Sequence, residues 1–330
     1  MSPAPTTLLG SLAAFTAYDK TPVIGTRFPD ASTQLSAFLT APNADKLIHD
    51  LATLVAHRGV VFFSAQDITL AQQKVLAQRM GELTGKPASS SLHKHPVTVA
   101  TAELDEEISV ISSKGGIARA DVKDRARAST GWHADITFEP VPSDYAILKM
   151  HTLPSVGGDT LWASGYEAYD RLSPTFKAFL EGLTARHDGN FFVKFAEAQG
   201  ISVQDNRGSP ENTGTDLTAV HPVIRTNPVT GFKSIFVNKG FTKRIVELSE
   251  DESDLVLDYL FRHIAENHDL QVRYRWNKND VAIWDNRSNY HTATHDYFEV
   301  REGNRVVSIG ERPYFDPKSK SRREVLQLKA

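Results

Sequence analysis

The sequence predicts a mainly β protein with flanking helices, an antiparallel β core in the α+β class. Three observations predict it. Short apolar or alternating runs recur along the chain and are bounded by Gly, Pro and Asn turns. Few of these runs are joined by helical segments, so the pattern is not the strand–helix–strand repeat of a doubly wound parallel sheet. No Gly-x-Gly-x-x-Gly follows a strand, and there is no phosphate-binding loop. A length of 330 residues is compatible with one large β domain, and residues 1–330 are expected to form one.

Residues 1–40, rich in Pro, Thr and Ala, read as an irregular arm. Asn43 is a candidate cap for a helix whose apolar stripe is Leu47, Ile48, Leu51, Leu54 and Val55, ending at Gly59. Val60-Val61-Phe62-Phe63 then reads as a buried strand. Thr69 and Gln72 form a capping-box pair that opens a second helix to about Met80. Ser173-Pro174 starts a third, with Pro at the first helical position. Ser249 and Glu252 open another, whose apolar face is Leu255, Val256, Tyr259, Leu260 and Ile264. Strands are expected at 108–111, 145–151, 159–163, 220–225, 234–237, 270–276, 281–284 and 305–310. Residues 189–217 read as one long loop, expected to act as an active-site lid.

Composition narrows the function. The 37 Lys+Arg are balanced by 40 Asp+Glu, so no basic excess points to nucleic acid. With no cysteine, disulfides, zinc ribbons, iron–sulfur clusters and thiol nucleophiles are excluded. No apolar run is long enough to span a membrane, and the N-terminal stretch resembles neither a secretory nor a transit signal, so a cytoplasmic location is expected. The chemistry is left to 12 histidines and the acids.

His133-Ala134-Asp135 is the first candidate. On a strand, residues i and i+2 face one side, so imidazole and carboxylate can reach one ion. With a second, distant His they would make the two-His-one-carboxylate face that leaves positions open on a divalent metal. Such a triplet arises by chance in a chain with this many His and acids, so its context must carry the argument. That context is five ordered blocks, HKHPV, WHADITF, GGDTLWASGYEAY, VHPVIRTNPVTGFKSIFVN and WDNRSNYH. Together, over residues 59–313, they resemble the taurine/alkylsulfatase branch of the Fe(II)/2-oxoglutarate-dependent dioxygenases.

The resemblance implies a jelly-roll (double-stranded β-helix) core, which would bring the distant His291 to His133. It implies Fe(II) held by His133, Asp135 and His291, with 2-oxoglutarate and O2 as cosubstrates. His295 is the alternative third ligand. Thr160 and an arginine would bind the distal carboxylate of 2-oxoglutarate. Arg301 is favoured for this, and Arg305 for either the cosubstrate or a substrate anion, because alignment on His291 and on Ile309-Gly310 differs by one residue. His95 would touch the substrate's anionic group, while His93 and His221 are read as structural. Trp132 and Trp162 would line or support the site, and Asp285-Asn286-Arg287 would hold the turn before His291. The expected substrate is a small anion such as a sulfonate, sulfate ester or amino-acid-like molecule, oxidised at a C–H bond with release of succinate and CO2. A tailoring oxygenase of specialised metabolism is the alternative, and a zinc hydrolase on the same ligands a further one. Relatives of this kind imply a homodimer or tetramer.

Overall fold

The computed structural model describes residues 6–101, 104–115, 117 and 127–328. In chain order, helix α1 (Thr6–Leu9) precedes β1 (Tyr18–Asp19), β2 (Thr26–Phe28), α2 (Leu35–Thr40), α3 (Ala44–Arg58) and β3 (Val60–Phe63). Then come α4 (Leu70–Leu83), β4 (Ile108–Ser112), β5 (Ser143–Thr152), β6 (Thr160–Ser164), α5 (Gly165–Asp170) and α6 (Pro174–Leu180). The middle of the chain holds β7 (Thr184–Asp188), α7 (Phe191–Gln199), β8 (Thr218–Pro222), β9 (Ile224–Thr226), β10 (Lys233–Ile235) and β11 (Thr242–Ile245). It closes with α8 (Glu250–Ala265), β12 (Gln271–Tyr274), β13 (Val281–Asp285), β14 (Asn289–Ala293), β15 (Glu302–Ile309) and α9 (Arg322–Leu326).

The main sheet has seven strands in the order β1-β2-β3-β13-β5-β15-β4, and a smaller one runs β12-β6-β14. All pairings are antiparallel except β2 with β3. The two sheets face each other. Alternate residues of the main sheet (Phe62, Ala146, Leu148, Trp284, Val307) share one core with Trp162, Val272 and Tyr274 of the small sheet. The intervening residues (Val61, Phe63, Ile147, Ile283, Val306) pack on the apolar stripe of α3 and on Leu76, Ala77 and Met80 of α4. The outer side of the small sheet, with Ala163 and Tyr290, packs on Leu257, Leu260 and Ile264 of α8. This is the jelly-roll sandwich with external helices. No helix of the described residues is long and apolar enough to cross a membrane.

The helix starts obey local chemistry. Thr69 Oγ1 accepts the Gln72 amide and Gln72 Oε1 accepts that of Thr69. Ser249 and Glu252 do the same for α8. Asn43 precedes α3 but makes no side-chain cap, so its expected capping role is not found. Gly59 ends α3 at φ +77°, and a Cβ there would meet Asn289 Oδ1 at 2.4 Å.

Two expectations are corrected. The arm before residue 40 is not irregular: it supplies β1, β2, α1 and α2, and β2 extends the main sheet by pairing parallel to β3. A three-residue strand is stabilised by that neighbour and shows no pattern of its own. The stretch 189–217 is not one structureless loop. Phe191–Gln199 is helical, and the chain beyond it is anchored by Arg207, whose Nε and Nη2 bind the buried Glu139 carboxylate at 2.5 and 3.0 Å.

Candidate active site

Between the sheets lies a cavity of about 260 Å³, and His133, Asp135, His291, Thr160, Arg301, Arg305 and His95 all line it. His133 and His291 are placed by a reciprocal backbone bridge. The His133 amide donates to His291 O at 3.1 Å and the His291 amide to His133 O at 2.8 Å. Directly opposed antiparallel residues project on the same side, so the two imidazoles meet, with ring centroids 4.2 Å apart. His133 forms only this isolated bridge, and the chain turns from Asp135 onward, which differs from the strand expected there. Ile136 has φ +51°, a backbone conformation that a β-branched residue rarely adopts.

One donor atom each from His133, Asp135 and His291 lies within 4.8 Å of the others. His133 Nδ1 donates to Gly131 O at 2.8 Å, which leaves Nε2 with its lone pair 3.8 Å from Asp135 Oδ1. His291 Nε2 is 3.7 Å from the same oxygen. Burial, then the neighbouring His133, push His291 down to about 3, so it is a neutral ring and a competent ligand. Burial raises the Asp135 carboxyl, but Arg305, His291, His133 and Asn286 outweigh it and hold it below the usual carboxylate range. Two imidazole nitrogens and one carboxylate oxygen suit a borderline divalent ion with positions left open. His295 lines the same cavity but is not one of the convergent donors among the described residues.

Geometry separates the two arginines. Arg301 donates through Nε to Gly158 O at 2.8 Å and through Nη2 to Thr160 Oγ1 at 3.0 Å. Thr160 Oγ1 also accepts the Trp276 indole N–H at 3.0 Å. Arg305, four residues on along the same face, donates to Asp135 Oδ1 at 2.5 Å, and its Nε is buried with no partner among the described residues.

His95 is buried and its Nδ1 accepts the Val97 amide at 3.4 Å. Burial, helped by His93, Arg305 and Arg207, drives its pKa well below the ordinary value. It is therefore a neutral donor through Nε2–H rather than a cation. His93 sits on Glu139 at 3.4 Å, and His221 Nε2 donates to Thr137 O and Glu139 O, both at 3.0 Å. Trp162 lines the cavity, whereas Trp132 packs in the core behind the small sheet. Within 285–287, Arg287 binds Asp285 through two bonds of 2.8 and 2.9 Å, both side chains buried.

Sequence reasoning missed three contributions. Asn286 accepts the Asp135 amide at 3.0 Å and donates to its Oδ2 at 3.3 Å, so it orients the carboxylate as well as the turn. Trp276 fixes Thr160. Phe191 and Phe192 enter the cavity from α7 and were hidden in a segment read as loop.

A family model described as "Taurine catabolism dioxygenase TauD, TfdA family" matches residues 21–308. The chain is 47% identical over 334 residues to the alpha-ketoglutarate-dependent dioxygenase btcD of Neocamarosporium betae, covering 96% of each chain. It is 42% identical over 363 residues to the alpha-ketoglutarate-dependent dioxygenase esdpJ of Penicillium shearii, covering 98% of this chain and 96% of that one. Among solved structures, a taurine dioxygenase from Burkholderia xenovorans superposes with a TM-score of 0.67 at 26% identity, covering 93% of this chain and 92% of that one. The convergent donors and the matched length agree: the chain belongs to the TauD/TfdA family and is an Fe(II)- and 2-oxoglutarate-dependent dioxygenase.

Proposed function

We propose that the enzyme oxidises a C–H bond of a small-molecule substrate at the His133–Asp135–His291 face, with Arg301 and Thr160 as the clamp for the distal carboxylate of 2-oxoglutarate. The observation that carries this is the placement of both sets of groups in one cavity, with Arg301 Nη2 already aimed at Thr160 Oγ1. Bound there, iron, 2-oxoglutarate and O2 supply the oxidising power, with succinate and CO2 as co-products.

The protein's own groups set geometry and charge. The Gly131 carbonyl holds His133 in the tautomer that presents Nε2. Asn286 holds Asp135, and Trp276 and Arg301 hold Thr160. The Arg301 guanidinium presents parallel donors that match a carboxylate, which Lys cannot imitate. Arg305, engaged by Asp135, stands beside the metal face, where its donors serve an anionic group of the cosubstrate or substrate once the carboxylate turns to a cation. His95 offers a neutral N–H to the substrate.

The test is anaerobic addition of Fe(II) and 2-oxoglutarate. A weak visible charge-transfer band is expected, and it should vanish in His133→Ala and Asp135→Ala. No band and no substrate-dependent succinate would sink the assignment. If Arg305→Ala rather than Arg301→Ala weakens 2-oxoglutarate binding more, the two arginines exchange roles.

A further inference from the structure

Four phenylalanines and His95, brought from four separate segments, make one continuous aromatic wall in the cavity. His95 meets Phe192 edge-on at 4.5 Å between centroids. Phe192 touches Phe191 at 4.1 Å and Phe138 at 5.7 Å. Phe241 lies 5.1 Å from Phe138 and stacks on Phe191 at 6.0 Å with planes 8° apart. Its far side meets the His133 ring at 6.0 Å and 86°. The wall therefore runs from the neutral donor His95 to a metal ligand.

The wall is held before any substrate arrives. Gly189 lets the start of α7 lie on Phe138, since a Cβ there would stand 2.6 Å from that ring. The Gly189 amide donates to Leu217 O at 2.8 Å, and the Leu217 amide to Asn190 Oδ1 at 3.1 Å. Beyond α7, the buried Arg207–Glu139 pair fixes the next segment. Among the described residues, cation–π contacts fall on other rings, and the buried Arg301 and Arg305 are engaged with Gly158, Thr160 and Asp135.

We infer that this wall selects a substrate with a ring-sized apolar group, aromatic or branched aliphatic, next to the C–H bond that is oxidised. The inference rests on the function proposed above and names its substrate class. A short alkylsulfonate held by His95 or Arg305 would leave the four phenylalanine rings largely bare, and an anion set against those rings, away from these two donors, would lose hydration without gaining a partner. A preformed slot loses little side-chain freedom on binding, so an apolar ring gains most of the available contact.

The test titrates the anaerobic enzyme, loaded with Fe(II) and 2-oxoglutarate, with indole and 3-phenylpropionate against taurine and 1-butanesulfonate. The aromatic probes should perturb the visible band at roughly tenfold lower concentration than the sulfonates. Phe191 is only half-buried, so Phe191→Ala should fold, keep the 2-oxoglutarate band, and weaken indole about fivefold to tenfold, with Phe191→Leu in between. Calorimetry of indole with the metal-free chain reads the same affinity without the band. An intact band with sulfonates binding as well as the aromatics, or indole unaffected by Phe191→Ala, overturns the slot alone. Absence of the band in wild type overturns the oxygenase assignment instead, and calorimetry still decides the slot.

Discussion

The two faces of the seven-stranded sheet are made by the same strands and obey different rules. On β13, Ile283 points to α3 and α4 while its neighbour Trp284 points to the cavity; on β15, Val306 and Arg305 divide the same way. The helix-facing side is mainly apolar, with Val61, Phe63, Ile147, Ile283 and Val306 on it, and its stability is largely a matter of volume and contact. The cavity side bears Arg305 and faces the His and Asp groups of the site across the cavity, and each charged group there needs a specific partner, as Arg305 has in Asp135 and Arg301 in Gly158 and Thr160. One sheet can thus hold a rigid fold and a reactive site because the side-chain period of two keeps them apart.

Given that separation, substitutions on the two sides should fail differently. The largest effect belongs to Asp135→Ala, which should abolish Fe(II)- and 2-oxoglutarate-dependent absorbance and turnover while thermal unfolding shows a cooperative folded protein. On the opposite side, Ile283→Ala removes a fully buried side chain and should cost about 2–5 kcal/mol by urea unfolding, with 2-oxoglutarate binding unchanged at low temperature. A change in cosubstrate affinity there would break the comparison. Arg301→Ala should raise the KM for 2-oxoglutarate roughly tenfold to a hundredfold and affect kcat less.

A pH titration sharpens the helix side. Burial, and then Arg322, push His57 at the end of α3 down to about 4. The folded protein keeps it neutral while the unfolded chain protonates it near its ordinary value, so its contribution is whole above about pH 6.5 and is lost as pH falls toward 4. His57→Gln should flatten the stability profile in that window by about 2 kcal/mol, measured by denaturant midpoints. The smallest effect is Thr69→Ala, which removes the α4 cap and should cost about 1 kcal/mol without touching catalysis.

How much the sequence disclosed depends on how local each signal is. The capping boxes at Thr69 and Ser249 need only four residues, and β3 and β13 are apolar runs, so all were readable. The His133-Ala134-Asp135 triplet became readable as a candidate metal site only with its ordered blocks, and the bridge that joins His133 to His291 crosses 158 positions that no window covers. β2 was invisible because its order comes from β3. Phe191 and Phe192 were lost because the polar run after α7 gave the whole segment the look of a loop, and a lone Arg207 in that run gave no sign that it is buried on Glu139. Asn286 was placed in the right turn, but its grip on Asp135 depends on a residue 151 positions away.

The His133–His291 bridge has a consequence for how the enzyme endures. An ion seated on those two rings and Asp135 would act as a removable crosslink across a very long loop, present only in the folded chain. Binding that discriminates in this way shifts the unfolding equilibrium by mass action. Iron supply would then govern lifetime as well as turnover: chelation should lower the midpoint of thermal unfolding, and proteases should find the iron-starved enzyme first.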